Sequence, residues 1–119
     1  MNKYYNQNII PLVTVCVPTF QQSQYIEETL NGIVMQQVNF TYEVIVHDDA
    51  STDGTQDKII RFSEAYPNLI KIIFQDNNQL SRGNKPIWEF VYPDIKSKYI
   101  AICDGDDYWI DPYKLQKQV

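Results

Sequence analysis

Glycine is scarce in this chain, four residues in 119, and histidine occurs once. The stretch after the first apolar run, PTFQQSQYIEE, is neither glycine-rich nor basic, which excludes the phosphate loop that a sugar-phosphate nucleotidyltransferase needs there. Cysteine is limited to Cys16 and Cys103, both inside apolar runs, with no metal-ligand spacing and no nearby base. They read as small buried hydrophobes in a reducing environment. Cations are outnumbered, ten Lys plus Arg against fifteen Asp plus Glu, for a net charge of -5 without a basic stripe. Nucleic acid is therefore excluded as a partner, because phosphate backbones demand clustered cations. No apolar run approaches the roughly 18 residues of a spanning helix, and MNKYYNQNII is too polar for a secretion signal. The expected compartment is the cytoplasm, where the acceptor triplet Asn39, Phe40, Thr41 is a chance match.

What the chain does have is acid at two strand ends. The run YIAICDGDDYW, residues 99 to 109, ends an apolar strand on Asp104, Asp106 and Asp107, and EVIVHDDAS, residues 43 to 51, repeats the arrangement with Asp48 and Asp49. Clustered carboxylates repel unless hydrogen bonds, solvent or a cation offset their charge, and strand ends are where a parallel sheet places its ligands. The pair of sites points to metal-assisted binding of an anion or nucleotide.

The apolar pattern supplies a sheet to carry them. LVTVCV, residues 12 to 17, is a continuous β-branched run of the buried parallel kind, closed by Pro18. Ser23 is placed to cap a helix with Ile26, Leu30, Ile33 and Val34 at helical spacing. Strand two is residues 42–46, and Thr52 or Asp53 caps a second helix with Ile59, Phe62, Ser63 and Tyr66 along one side. Strand three is residues 69–74. Residues 75–85, nearly devoid of apolar side chains, read as a mobile loop before a short helix with Ile87, Phe90 and Val91, and residues 98–103 form strand four. The alternation predicts an α/β fold, a mostly parallel sheet of about four strands with helices on both faces; right-handed crossovers leave few topologies, and if the first three strands run outward and the fourth returns beside strand one the order is 3-2-1-4. The switch point then falls between strands one and four, beside Thr19 and Phe20. Asp111 and Pro112 have the form of an N-cap and N1 proline, but the helix they open is so short that Leu115 and Val119 are expected to lack a partner and to drive self-association. The chain reads as the front part of a longer protein.

Three segments, VTVCVPTFQQSQYIEETLNGIVMQQ, YEVIVHDDASTDGTQDKI and YIAICDGDDYWIDPYKLQKQV, resemble in order the consecutive signatures of the family 2 glycosyltransferases. The resemblance covers about residues 12 to 118. It implies the Rossmann-like GT-A fold of nucleotide-diphospho-sugar transferases, with residues 1–11 as an extension and 12–119 as the nucleotide-sugar-binding part. It also implies an inverting transfer, dependent on Mg2+ or Mn2+, from a UDP-sugar or related donor to a glycan or lipid-linked acceptor in bacterial polysaccharide synthesis. The acceptor-binding half and the general base have no counterpart here. That missing half would carry any peripheral association with the inner face of the membrane, and the fragment alone is expected to transfer no sugar.

Carried over residue by residue, Asp104 and Asp106 are the acids of the DxD motif. Asp106 is the expected direct metal ligand, Asp104 reaches ribose or metal-bound water, and Gly105 lets the backbone pass close to the nucleotide. Asp48 matches the acid that accepts from a base edge, with Asp49 supporting the ribose side or the turn. Pro18 and Thr19 close strand one beside the base, and Phe20 stands where the family commonly has Tyr, keeping ring packing without a hydroxyl. Arg82 and Lys85 are the cations placed to face a pyrophosphate. Tyr108 and Trp109 read as core anchors and His47 as a packing residue. Two rivals differ in class. A receiver-like Mg2+-binding phosphoacceptor needs its acid pair after strand one, where this chain has PTF, and a non-catalytic nucleotide-binding module would show itself only in the second half.

Overall fold

The computed structural model describes residues 10–119, so most of the expected 1–11 extension lies outside the described residues. Four strands, β1 (Val13–Thr19), β2 (Tyr42–Asp48), β3 (Ile70–Phe74) and β4 (Tyr99–Ile102), form one sheet in the order β3-β2-β1-β4. Every neighbouring pair is parallel. The helices α1 (Ile26–Val34) and α2 (Thr55–Ala65) follow β1 and β2, and α3 (Lys114–Gln118) closes the chain.

Handedness explains the two faces. The chain steps outward from β1 to β2 to β3, so right-handed crossovers lay α1 and α2 on the same side. There Ile26, Leu30, Ile33 and Ile59 pack on Val13, Val15, Val17, Val44 and Val46. The return from β3 to β4 reverses direction and brings its crossover to the opposite face. A π-helical turn, Ile87–Val91, lies there with Ile87 and Val91 against Cys16 and Ile45. His47 points the same way, fully buried and stacked on Phe90 with ring centroids 6.1 Å apart. Burial pushes its imidazole below the usual pKa, against the opposing pull of the Asp49 and Asp48 carboxylates. Burial likewise raises both thiols, Cys16 to about 11 and Cys103 to about 12, which keeps them protonated and unreactive. No helix among the described residues is long and apolar enough to cross a membrane.

Several local expectations change. β1 and β2 run on through Thr19 and Asp48, because the register pairs Pro18 with His47 and Thr19 with Asp48. Asp48 is thus a strand residue, flanked on its other side by Phe74. Ser23 does not cap α1: its N–H donates to Asp53 Oδ2 at 3.1 Å, its carbonyl accepts from Lys58 Nζ at 2.6 Å, and the helix starts at Ile26. For α2 the cap chemistry falls to Asp53, whose Oδ1 accepts the Thr55 N–H at 3.1 Å. Thr52 turns instead to Gln21.

The C-terminal expectation also fails in part. Leu115 is only 1% exposed, packed in the main core, while Val119 stays exposed. The cause is polar. Gln36, itself buried, donates from Nε2 to the Asp111 carbonyl at 2.9 Å and accepts the Leu115 N–H at 3.0 Å. The Gln37 N–H reaches the Pro112 carbonyl at 2.6 Å, so the end of α1 grips residues 111 to 115. Asp111 keeps a capping contact, Oδ1 to the Tyr113 N–H at 2.8 Å, but α3 begins only at Lys114.

Candidate functional site

Loops leaving the C-terminal ends of β1, β2 and β4 meet at one rim. Residues 20–23 and 51–55 are stitched together. The Gln21 N–H donates to Ser51 Oγ at 2.9 Å, the Gln22 N–H to Thr55 Oγ1 at 3.0 Å, and the Thr52 N–H to Gln21 Oε1 at 2.6 Å. Gln21 and Ala50 both hold positive φ, 53° and 66°. Two non-glycine residues in the left-handed region at facing turns are a strain that sites tolerate and ordinary turns avoid.

The two acid clusters do different things. Asp48 is fully buried and its carboxylate is saturated: Oδ1 accepts from Thr19 Oγ1 at 2.7 Å and Ser51 Oγ at 2.6 Å, Oδ2 from the Ser51 N–H at 2.9 Å and Gln56 Nε2 at 2.8 Å. Four donors use the whole acceptor capacity of a carboxylate, so the edge of a base finds no free lone pair there. Thr19 is spent in the same network, its hydroxyl on Asp48 and its carbonyl on the Asp49 N–H at 3.0 Å. Asp49 serves the turn: its oxygens accept the N–H groups of Gln79 at 2.7 Å and Leu80 at 3.0 Å. The 75–85 segment is therefore tied to the end of β2 and folds into a turn at Leu80–Arg82. Arg82 and Lys85 are exposed and make no ion pair among the described residues.

After β4 the picture reverses. Asp104 and Asp106 are exposed, and neither carboxylate has a hydrogen-bond partner among the described residues. Asp107 differs, since its Oδ1 accepts the Tyr108 N–H at 2.8 Å. The loop itself is pinned: the Gly105 N–H reaches the Pro18 carbonyl at 3.0 Å, and the Asp107 N–H the Asp104 carbonyl at 2.9 Å. Gly105 is buried, and a Cβ there would come within 2.8 Å of Thr19 Cγ2 and 2.2 Å of Gln22 Oε1. The close approach that demands glycine is to these side chains. Trp109 anchors the loop in the core as expected, but Tyr108 is exposed, as is Phe20.

A metal fits the β4 loop on the chemistry of its donors. Free carboxylate oxygens suit a hard divalent cation, whereas Asp48 is saturated and both oxygens of Asp49 are engaged by the backbone of the 79–80 turn. No group of three or more His, Cys, Asp or Glu able to hold a metal occurs among the described residues. The protein thus offers one or two carboxylates, the number with which Mg2+ is ordinarily held when phosphates and water complete its shell.

Sequence reasoning missed the polar residues of α1. The single Thr29 hydroxyl hydrogen is shared among the Asp107 carbonyl, the Gly105 carbonyl at 3.1 Å and the Tyr25 carbonyl of its own helix at 3.3 Å. Gly32 faces Trp109, whose backbone oxygen would sit 2.6 Å from a Cβ. The available signal was polar and small residues interleaved with the apolar face of a helix.

Fold and site together define a doubly wound α/β domain whose acids gather where the strand order reverses. Residues 14–119 match the family Glycosyl transferase family 2, and the chain belongs to that family. It is 41% identical over 101 residues to an uncharacterised protein of Mycobacterium tuberculosis, covering 85% of this chain and 28% of that protein. It is 43% identical over 100 residues to the abequosyltransferase RfbV of Salmonella typhimurium, covering 83% and 27%. Among solved structures, the mannosyltransferase PcManGT of Pyrobaculum calidifontis, in complex with GDP-Man and Mn2+, superposes with a TM-score of 0.72 at 29% identity, covering 88% of this chain and 30% of that one. TarS 1-349 of S. aureus in complex with UDP gives 0.71 at 29% identity, covering 89% and 30%. The sheet with order 3-2-1-4 is that of the GT-A fold. The chain spans under a third of the length of these relatives.

Proposed function

We propose that residues 12–119 are the donor-binding part of a glycosyltransferase that moves a sugar from a nucleotide diphosphate donor, UDP-linked first among the candidates, to a glycan or lipid-linked acceptor held by sequence outside these residues. The observation that carries the reading is the pair of unpartnered carboxylates, Asp104 and Asp106, on a pinned loop at the switch point. Family membership and neighbours bound to UDP and to GDP-Man with Mn2+ support it.

In this reading Asp106 holds Mg2+ or Mn2+ directly and Asp104 reaches ribose or a metal-bound water. The bound cation supplies positive charge against the departing diphosphate. Pro18, through the carbonyl that receives the Gly105 N–H, sets the height of the loop. Phe20 offers its exposed ring to the base at the mouth of the crevice. Asp48 works from beneath, fixing Thr19, Ser51 and Gln56, while Asp49 fixes the turn that presents Arg82 and Lys85 to the donor phosphates. Titration calorimetry with UDP, with Mn2+ and then with EDTA, tests the proposal. Binding is expected with Mn2+ and lost in EDTA, and binding of equal strength in both would defeat it.

A further inference from the structure

One face of α1 and its end is unlike the rest of the helix. Thr29 and Gly32 are i, i+3 neighbours on α1, and Gln36, two residues past its end, folds back onto the Gly32 carbonyl and extends the same stripe. Residues 105 to 115 run along that stripe in the same direction. The one Thr29 hydroxyl hydrogen is shared between the carbonyls of Asp107 and Gly105, Gly32 admits the backbone of Trp109, and Gln36 holds the Asp111 carbonyl and the Leu115 N–H. Both Nε2 hydrogens of Gln36 are used, the second on the Gly32 carbonyl at 3.1 Å. A glycine inside the helix, and buried polar side chains within and just beyond it, each carry a cost, so a packing demand from the facing segment accounts for them together.

We propose that this stripe is a ruler for the acidic loop: Thr29, Gly32 and Gln36 are positioning residues that fix the height and register of Asp104 and Asp106, and so set metal and donor affinity without touching the donor. The inference rests on the donor-site reading above and adds residues to it. Thr29 is the sharpest member, because its hydroxyl is the side-chain bond to the loop backbone nearest the two free acids. A carboxylate displaced by a fraction of an ångström no longer meets a cation's short coordination distance, while the fold beneath is unchanged.

Thr29→Val removes the hydroxyl at nearly constant volume, and Thr29→Ser restores it. Calorimetry of the whole chain with Mn2+ and UDP is expected to show affinity reduced about 10-fold or more in Thr29→Val, the scale of a lost outer-shell partner, and near-normal affinity in Thr29→Ser. Amide hydrogen exchange without metal supplies the second readout. Gly105 and Asp107 should exchange faster in Thr29→Val, with Val15 and Val44 unchanged and Thr29→Ser like the parent. Parental affinity in Thr29→Val overturns the proposal, as does equal loss in both variants or exchange that rises across the whole sheet. If the parent itself binds no Mn2+ and UDP, the donor-site reading falls and exchange at Gly105 and Asp107 alone decides whether the ruler exists.

Discussion

Asp106→Asn is expected to remove metal-dependent donor binding while leaving the fold intact. The carboxylate is exposed and makes no hydrogen bond among the described residues, so its loss breaks nothing that folding uses. Surface changes of that kind stay within about 0.5 kcal/mol of the parent. The same substitution removes the charge and the strongest oxygen donor from the proposed cation site. Outer-shell partners alone cost 10- to 100-fold in metal affinity, so loss of a direct ligand should reach about 100-fold or more. Thermal melts of parent and variant, each with and without Mn2+ and UDP, read both halves. The parent should shift upward with ligand and the variant should not, and an equal shift in both would reject the role of Asp106.

Asp48→Asn should do the opposite. This change is chemically the same, yet the parent carboxylate is fully buried and accepts from four donors. An asparagine presents an NH2 group where an acceptor stood: turned toward the Ser51 N–H and Gln56 Nε2 it meets two donors, and turned the other way it forces the Thr19 and Ser51 hydroxyls to accept instead of donate. Each buried group left unsatisfied costs about 1–3 kcal/mol, and two of them put the loss at about 2–6 kcal/mol. Against the 5–15 kcal/mol typical of a whole domain this is severe. Urea denaturation measures it. A loss below about 0.5 kcal/mol would show that the network around Asp48 is not what the geometry says.

These contrasting outcomes mark how far the sequence could be read. The strands were legible because buried parallel strands are written as continuous β-branched runs, and the order 3-2-1-4 followed from handed crossovers. What eluded the sequence was which acids are free. EVIVHDDAS and YIAICDGDDYW look alike as text, but β2 is central and β4 lies at the edge. Ladder pairing on both sides carries Asp48 inward, toward Thr19, Ser51 and Gln56, whereas Asp104 and Asp106 leave the sheet into solvent. An expected base contact of Asp48 therefore competes with four protein donors.

Leu115 shows a second kind of limit. Its burial in the apolar core was unreadable because a side-chain amide, Gln36 just past the end of α1, holds its backbone there, and apolar periodicity does not register a buried glutamine. The same holds for Thr29, which a helical-face count treats as a gap between Ile26, Leu30 and Ile33. Ser23 was assigned a cap on sound local grounds, and tertiary contacts with Asp53 and Lys58 took its backbone instead.

The central claim is that the free acids after β4, and not the hydrogen-bonded Asp48 and Asp49 at the end of β2, hold the donor through a cation. A crystal structure of the chain grown with UDP and Mn2+ tests it most directly. The account predicts the ion bound to an Asp106 carboxylate oxygen and to diphosphate oxygens, at about 2.0–2.3 Å as hard divalent cations require, with the Asp48 network unbroken beneath. An ion coordinated by Asp48 or Asp49, or a diphosphate seated with no ion at Asp106, would contradict it.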